Sequence, residues 1–116
     1  MGREFALKAA LIVVGLLFVA LVYPMVLFIR QEAALSMMLS VYATLGVFLL
    51  VAARKPAANR SLIAFTAWSS FAHAGVMGIQ AFRGMIARGE LVGVVVLIVI
   101  GIVLLALSPG KGAETA

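Results

Sequence analysis

The sequence predicts an all-α integral membrane protein, one domain over 1–116 folded as a four-helix up-down-up-down bundle. Four stretches, 9–29, 33–53, 61–82 and 91–108, carry no charged side chain, and all nine Lys and Arg and all four Asp and Glu lie outside them. An α-helix of about 20 residues, rising about 1.5 Å per residue, spans a hydrocarbon layer of about 30 Å. The composition agrees. Hydrophobic residues form 66% of the chain, charged residues 11%, and the mean hydropathy is +1.25. Soluble domains hold roughly 45–50% apolar residues, and too little charge remains here to cover a water-facing surface. The connections are short, so successive spans must be antiparallel neighbours.

The first helix is expected over 6–29. Its basic start, Arg3 and Lys8, resembles a secretion signal, but the apolar run exceeds the usual length of about 7–15 residues. Tyr23-Pro24 is followed by more apolar sequence with no small-x-small cleavage site, so a retained span is expected. Myristoylation at Gly2 would need Ser or Thr where Ala6 stands. Pro24 removes a backbone donor and predicts a kink near the outer end, with Tyr23 as an interfacial aromatic. The second helix is expected over 33–54, after the minimal turn Arg30-Gln31-Glu32 and before Pro56, which cannot continue it. The third is expected over 60–83, with Gly84 and Gly89 loosening the connection that follows. The fourth is expected over 90–108, ended by Ser108-Pro109-Gly110.

With four spans both termini share a side with the second connection, which brings Arg3, Lys8, Arg54, Lys55, Arg60 and Lys111 together. Arg30, Arg83 and Arg88 lie on the other side. Short basic loops stay in the cytoplasm, so both termini are expected there, in a bacterial inner membrane. That imbalance also argues against dual topology. The net charge of +5 is spread over helix ends without an interleaved aromatic patch, so no nucleic-acid partner is expected. With no cysteine, disulfides and thiol chemistry are excluded. No carboxylate or His cluster predicts a metal site, no glycine-rich loop precedes a helix, and no nucleophile has an acid–base pair, so no catalytic residue is assigned.

The polar chemistry lies in the middle spans. Thr66, Ser70, His73, Met77 and Gln80 recur at steps of four, three, four and three, one face of an α-helix. Such a seam should face protein, because polar groups gain nothing from lipid. Ser70, Ala74 and Gly78 form a small-xxx-small track, which marks the third helix as the central packing element, and Gly93 and Gly101 are expected contact points on the fourth. Trp68, seven residues into the third helix, is too deep for an interface anchor and is read as packing in preference to a quinone platform. The second helix offers Ser36, Ser40, Tyr42 and Thr44. Tyr42 stands nine residues from the outer start of its run at Ala33, and His73 nine from the outer end of its run at Phe82. Both therefore sit roughly 13 Å below the outer boundary, and an approach of Tyr42 to His73 is expected. Charging an imidazole in a low dielectric is costly, so a neutral ring with one donor and one acceptor is expected.

The run 42–50, followed by Ala52-Ala53-Arg54, Ser61-Leu62-Ile63, Trp68-Ser69-Ser70, His73-Ala74, Met77 and Gln80, resembles a bacterial family of small four-span membrane proteins known only as a domain of unknown function. The resemblance covers mainly the second and third helices. It implies the four-span architecture and an emphasis on those helices, without an activity. This chain departs from that pattern in its short first outer connection and in Val94, which follows Gly93 where the pattern has an acidic residue; Glu90 lies one turn earlier.

The expected function is a non-enzymatic accessory or structural component of a membrane assembly, in contact with the lipid bilayer and associated with itself or a larger complex. An alternative is a binder of an apolar ligand, whether lipid, quinone or haem, between the second and third helices. Haem would use His73 as axial ligand, and a second axial ligand would have to come from Met37, Met38 or another subunit, since Met77 lies one turn away on the same helix. A small channel or exporter ranks lower. The uncharged spans lack the series of titrating groups that proton coupling uses.

Overall fold

The computed structural model describes residues 2–109, so Lys111 and Gly110 lie outside the described residues. Helix α1 runs Gly2–Val19, α2 Val22–Leu27, α3 Ala33–Ala52, α4 Arg60–Phe82 and α5 Leu91–Leu107, with short 3-10 turns at Pro56–Asn59 and Arg88–Glu90. There is no strand among the described residues. Four helical segments are long and apolar enough to cross a membrane: Gly2–Leu27, Ala33–Ala52, Pro56–Phe82 and Arg88–Leu107. The bundle measures 47 × 27 × 19 Å, and its surface carries large apolar side chains along every span, among them Val13, Val41, Phe65, Ile79 and Ile102.

The first helix begins at Gly2, earlier than its apolar run. Arg3, Glu4 and Lys8 fit a helical turn, and Glu4 and Lys8 pair at 3.4 Å one turn apart. The proline kink lies a turn before Pro24, at Ala20 and Leu21. The Pro24 ring crowds the carbonyl four residues back, which belongs to Ala20, and cannot donate to it. Tyr23 N–H donates to that carbonyl instead, at 3.1 Å, and Leu21 N–H donates to Phe18 O at 3.0 Å, two 3-10-type bonds that turn the chain from α1 into α2. Ser36 Oγ then donates to Met25 O at 3.0 Å and ties α2 to the start of α3.

Gly84 closes α4 and does not loosen the connection after it. It has φ +71°, Met85 N–H donates to Gln80 O at 2.8 Å, and Gly84 N–H donates to Ala81 O at 3.1 Å. That pair of bonds is the Schellman arrangement, in which glycine takes the left-handed position without steric cost.

The bundle consists of two helical hairpins. One packs α1 and α2 on α3, the other α4 on α5; α1 also packs on α5, while α3 and α4 touch at few positions. The expectation that the third span is the central packing element is therefore corrected: α4 packs chiefly on α5, and the tightest backbone approach lies between α1 and α3. A Cβ on Gly46 would stand 2.7 Å from Gly15 O and 2.8 Å from Val19 N, and one on Gly15 would stand 3.0 Å from Gly46 O. Only glycine permits that crossing.

The core gathers at the end that bears Arg3 and Pro56, here termed the basic end. Leu7, Leu11, Val14 and Phe18 of α1 meet Leu49, Ala53, Ile63, Ala67, Ile100 and Leu104. Burial in α4 stops at Ala74, burial in α5 begins only at Leu97, and α2 buries no residue. The bundle is thus close-packed at the basic end and open toward the other. Arginines fasten the closed end. Arg3 donates to Ala106 O at 3.2 Å and to Ser108 O at 2.8 Å, and Arg60 Nε donates to Pro109 O at 2.9 Å. Ala106 lies in the last turn of α5 and Ser108 and Pro109 directly follow it, where unpaired acceptors and the helix dipole favour cations.

Candidate functional site

Tyr42 and His73 meet where the two hairpins face each other. Tyr42 lies on α3 beside the buried positions Leu39, Ala43 and Gly46, so its ring turns inward. Phe18 of α1 meets it edge-on, with ring centroids 5.1 Å apart and planes at 88°. His73 lies on α4 between the buried Ser70 and Ala74. Tyr42 Oη and His73 Nδ1 are 2.6 Å apart, and the rings tilt at 52° with centroids 5.3 Å apart. The approach expected from matched depth is present as a direct hydrogen bond. Among the described residues it is the only hydrogen bond between side chains of different spans. Because α3 and α4 otherwise hardly touch, two long side chains reach across the gap.

The rest of the seam behaves differently along its length. Thr66 and Ser70 are fully buried, yet their hydroxyls serve their own helix: Thr66 Oγ1 donates to Leu62 O at 2.9 Å, and Ser70 Oγ to Thr66 O at 2.7 Å. Such bonds to the preceding turn meet the hydroxyl's need without a neighbour. Met77 and Gln80 are half-buried toward the open end, and the Gln80 side chain makes no hydrogen bond among the described residues. Thr44 is exposed, donates to Ser40 O at 3.0 Å and does not join the seam. Two residues beyond Tyr42 on a helix is about 200° around the axis, nearly the opposite face.

The glycine contact points also divide. A Cβ on Gly101 would collide with Cε1 of Phe71, so the Phe71 ring lies directly on that backbone. A Cβ on Gly93 would meet only Met77 Cε at 3.4 Å, and one on Gly78 would meet nothing within 4 Å, so Gly78 is not a packing contact while Ala74 is buried. Trp68 does not pack inside the bundle: it is 61% exposed and rests edge-on against Phe71 at 5.5 Å. Among the described residues no group of three His, Cys, Asp or Glu is placed to hold a metal ion.

Phe18, Gly15, Gly46 and the arginine clasps were not singled out from the sequence. A signal existed for the glycines. Each is the sole glycine of its apolar run, and a helix-interior glycine costs about 1 kcal/mol against alanine unless packing requires it.

An all-α bundle of four apolar helices, with one neutral polar contact between its hairpins, defines a small multi-pass membrane protein. The profile of the Family of unknown function (DUF6632) matches residues 4–116, and the chain belongs to that family. No curated protein and no solved structure matches it.

Proposed function

We propose that this chain is a non-enzymatic structural or accessory component of a bacterial inner-membrane assembly, associating with itself or with a larger complex. The observation that carries this reading is that every enclosed side-chain polar atom among the described residues has a partner within the bundle. Thr66 and Ser70 bond their own helix, and Tyr42 and His73 bond each other across the hairpins. The Tyr42–His73 bond acts as a pin that selects one docking of two apolar hairpins, since hydrogen bonds of this kind contribute about 0.6 kcal/mol within membranes. Both termini lie in the cytoplasm in this reading, supported by Arg3, Lys8, Arg54, Lys55 and Arg60 at the basic end against Arg30, Arg83 and Arg88 at the other. Native mass spectrometry in mild detergent tests the assembly: an oligomer or a defined complex is expected, and a partner-free monomer alone would count against it.

A second reading, an apolar ligand held between α3 and α4, is favoured by the second ring nitrogen of His73. Nδ1 is taken by Tyr42, whereas Nε2 has no partner among the described residues. Purification without added ligand, followed by absorbance and mass spectrometry, tests this reading. A co-purifying lipid or quinone, or a Soret band for haem, is the expected sign.

A further inference from the structure

We propose that His73 Nε2–H donates a hydrogen bond to a carbonyl oxygen of an apolar molecule lodged in the opening between α3 and α4, an inference that rests on the ligand reading above. The tautomer comes first. A neutral imidazole has one protonated and one bare nitrogen. A phenol is a far better donor than acceptor, so at 2.6 Å the Tyr42 hydroxyl donates to Nδ1 and the ring proton resides on Nε2. Tyr42 is thus a positioning residue, and it makes His73 a donor.

That donor is reachable. His73 is only half-buried, and among the described residues no enclosed polar side-chain atom lacks a partner, so the unpaired Nε2 opens onto the surface of the bundle. It does so roughly 13 Å from the nearer boundary, where hydrocarbon offers no acceptor and an unmatched donor is unfavourable. The structure leaves room beside it. Burial in α4 stops at Ala74, and α3 and α4 touch at few positions. An acceptor that needs no donor in return, carried on an apolar body, is a carbonyl. A bilayer supplies carbonyls from two sources, a quinone ring, which enters the hydrocarbon layer, and an acyl ester, which reaches Nε2 only if its lipid is drawn roughly 13 Å inward from the boundary. The same tautomer argues against haem, because a protonated Nε2 has no lone pair for iron.

The chain has one histidine, so ¹⁵N-histidine labelling of tag-free protein reports this ring alone. Four bilayer-disc samples decide: diester phosphatidylcholine, dialkyl-ether phosphatidylcholine, the ether lipid with a short-tailed benzoquinone, and the ether lipid with an alkylbenzene of equal size. The expected result is a protonated Nε2 whose proton signal moves downfield with the quinone and not with the alkylbenzene. A shift between diester and diether lipid, with no response to quinone, assigns the acyl ester as the source. No shift in any arm, a bare Nε2, or an iron-bound Nε2 overturns the proposal. Tyr42→Phe removes the tautomer lock and should weaken quinone binding by less than about tenfold, the cost of losing one hydrogen bond outright. Should that variant fail to fold, the four wild-type arms still decide. Quinone binding that persists undiminished in His73→Phe refutes the hydrogen bond and leaves the ligand reading standing; no binding of any apolar probe to wild type refutes both.

Discussion

At the scale of single residues, the hydroxyls and the histidine divide by where their bonds go. Ser70 and Thr66 satisfy themselves on the preceding turn, so removing either hydroxyl leaves a carbonyl that its own helix already uses. Ser70→Ala should change stability by no more than about 0.6 kcal/mol in reversible unfolding from bicelles, because the hydroxyl it removes bonds only its own preceding turn. Tyr42→Phe keeps the ring against Phe18 and loses the bond to His73, for an expected loss of about 0.6 kcal/mol. His73→Ala also strands the phenol and removes the ring, and should cost about 1–3 kcal/mol. If Ser70→Ala proves more damaging than His73→Ala, the division fails. The meeting of Tyr42 and His73 was legible because depth in an antiparallel hairpin follows from counting residues. Rotation about the helix does not follow from counting across the loop, which is why Phe18 was not foreseen. The outward face of Thr44 could have been read from its two-residue offset.

At the scale of elements, two glycines decide how α1 crosses α3. Gly46→Ala would press a methyl group against Gly15 O at 2.7 Å, and backbone cannot move aside as a side chain can. Overpacking of that kind costs about 1–3 kcal/mol. Gly78→Ala should be neutral or stabilising by up to about 1 kcal/mol, because nothing lies within 4 Å and alanine is the better helix former. Equal effects in thermal melts would contradict the assigned crossing. The helices themselves were legible from uncharged length. The small-residue track on α4 was less informative, since four-residue spacing identifies a permissive face without saying whether a neighbour covers it. Pro24 foretold the kink, but the break appears at Ala20 and Leu21 because the ring acts on the carbonyl four residues earlier.

At the scale of the whole molecule, a close-packed basic end and an open opposite end arise from the same pairing of hairpins. The class was legible because hydrocarbon forbids charge over four long runs. The asymmetry of packing was not, since each run is uncharged from end to end and only the contacts between runs separate one end from the other. The lack of native cysteine permits a direct test of topology. Single cysteines replacing Lys55 should react with an impermeant maleimide only from the cytoplasmic side, and those replacing Gln31 or Met85 only from the opposite side. The centre of the molecule rests on the bond that joins the hairpins, and with one histidine in the chain it can be observed alone. The most direct measurement is the ¹⁵N spectrum of His73 in bilayers, wild type against Tyr42→Phe. A hydrogen bond from Tyr42 predicts an acceptor Nδ1 whose resonance moves clearly in the variant while the helical content stays the same. An Nδ1 resonance unchanged by loss of the Tyr42 hydroxyl would show that the hairpins are not joined there.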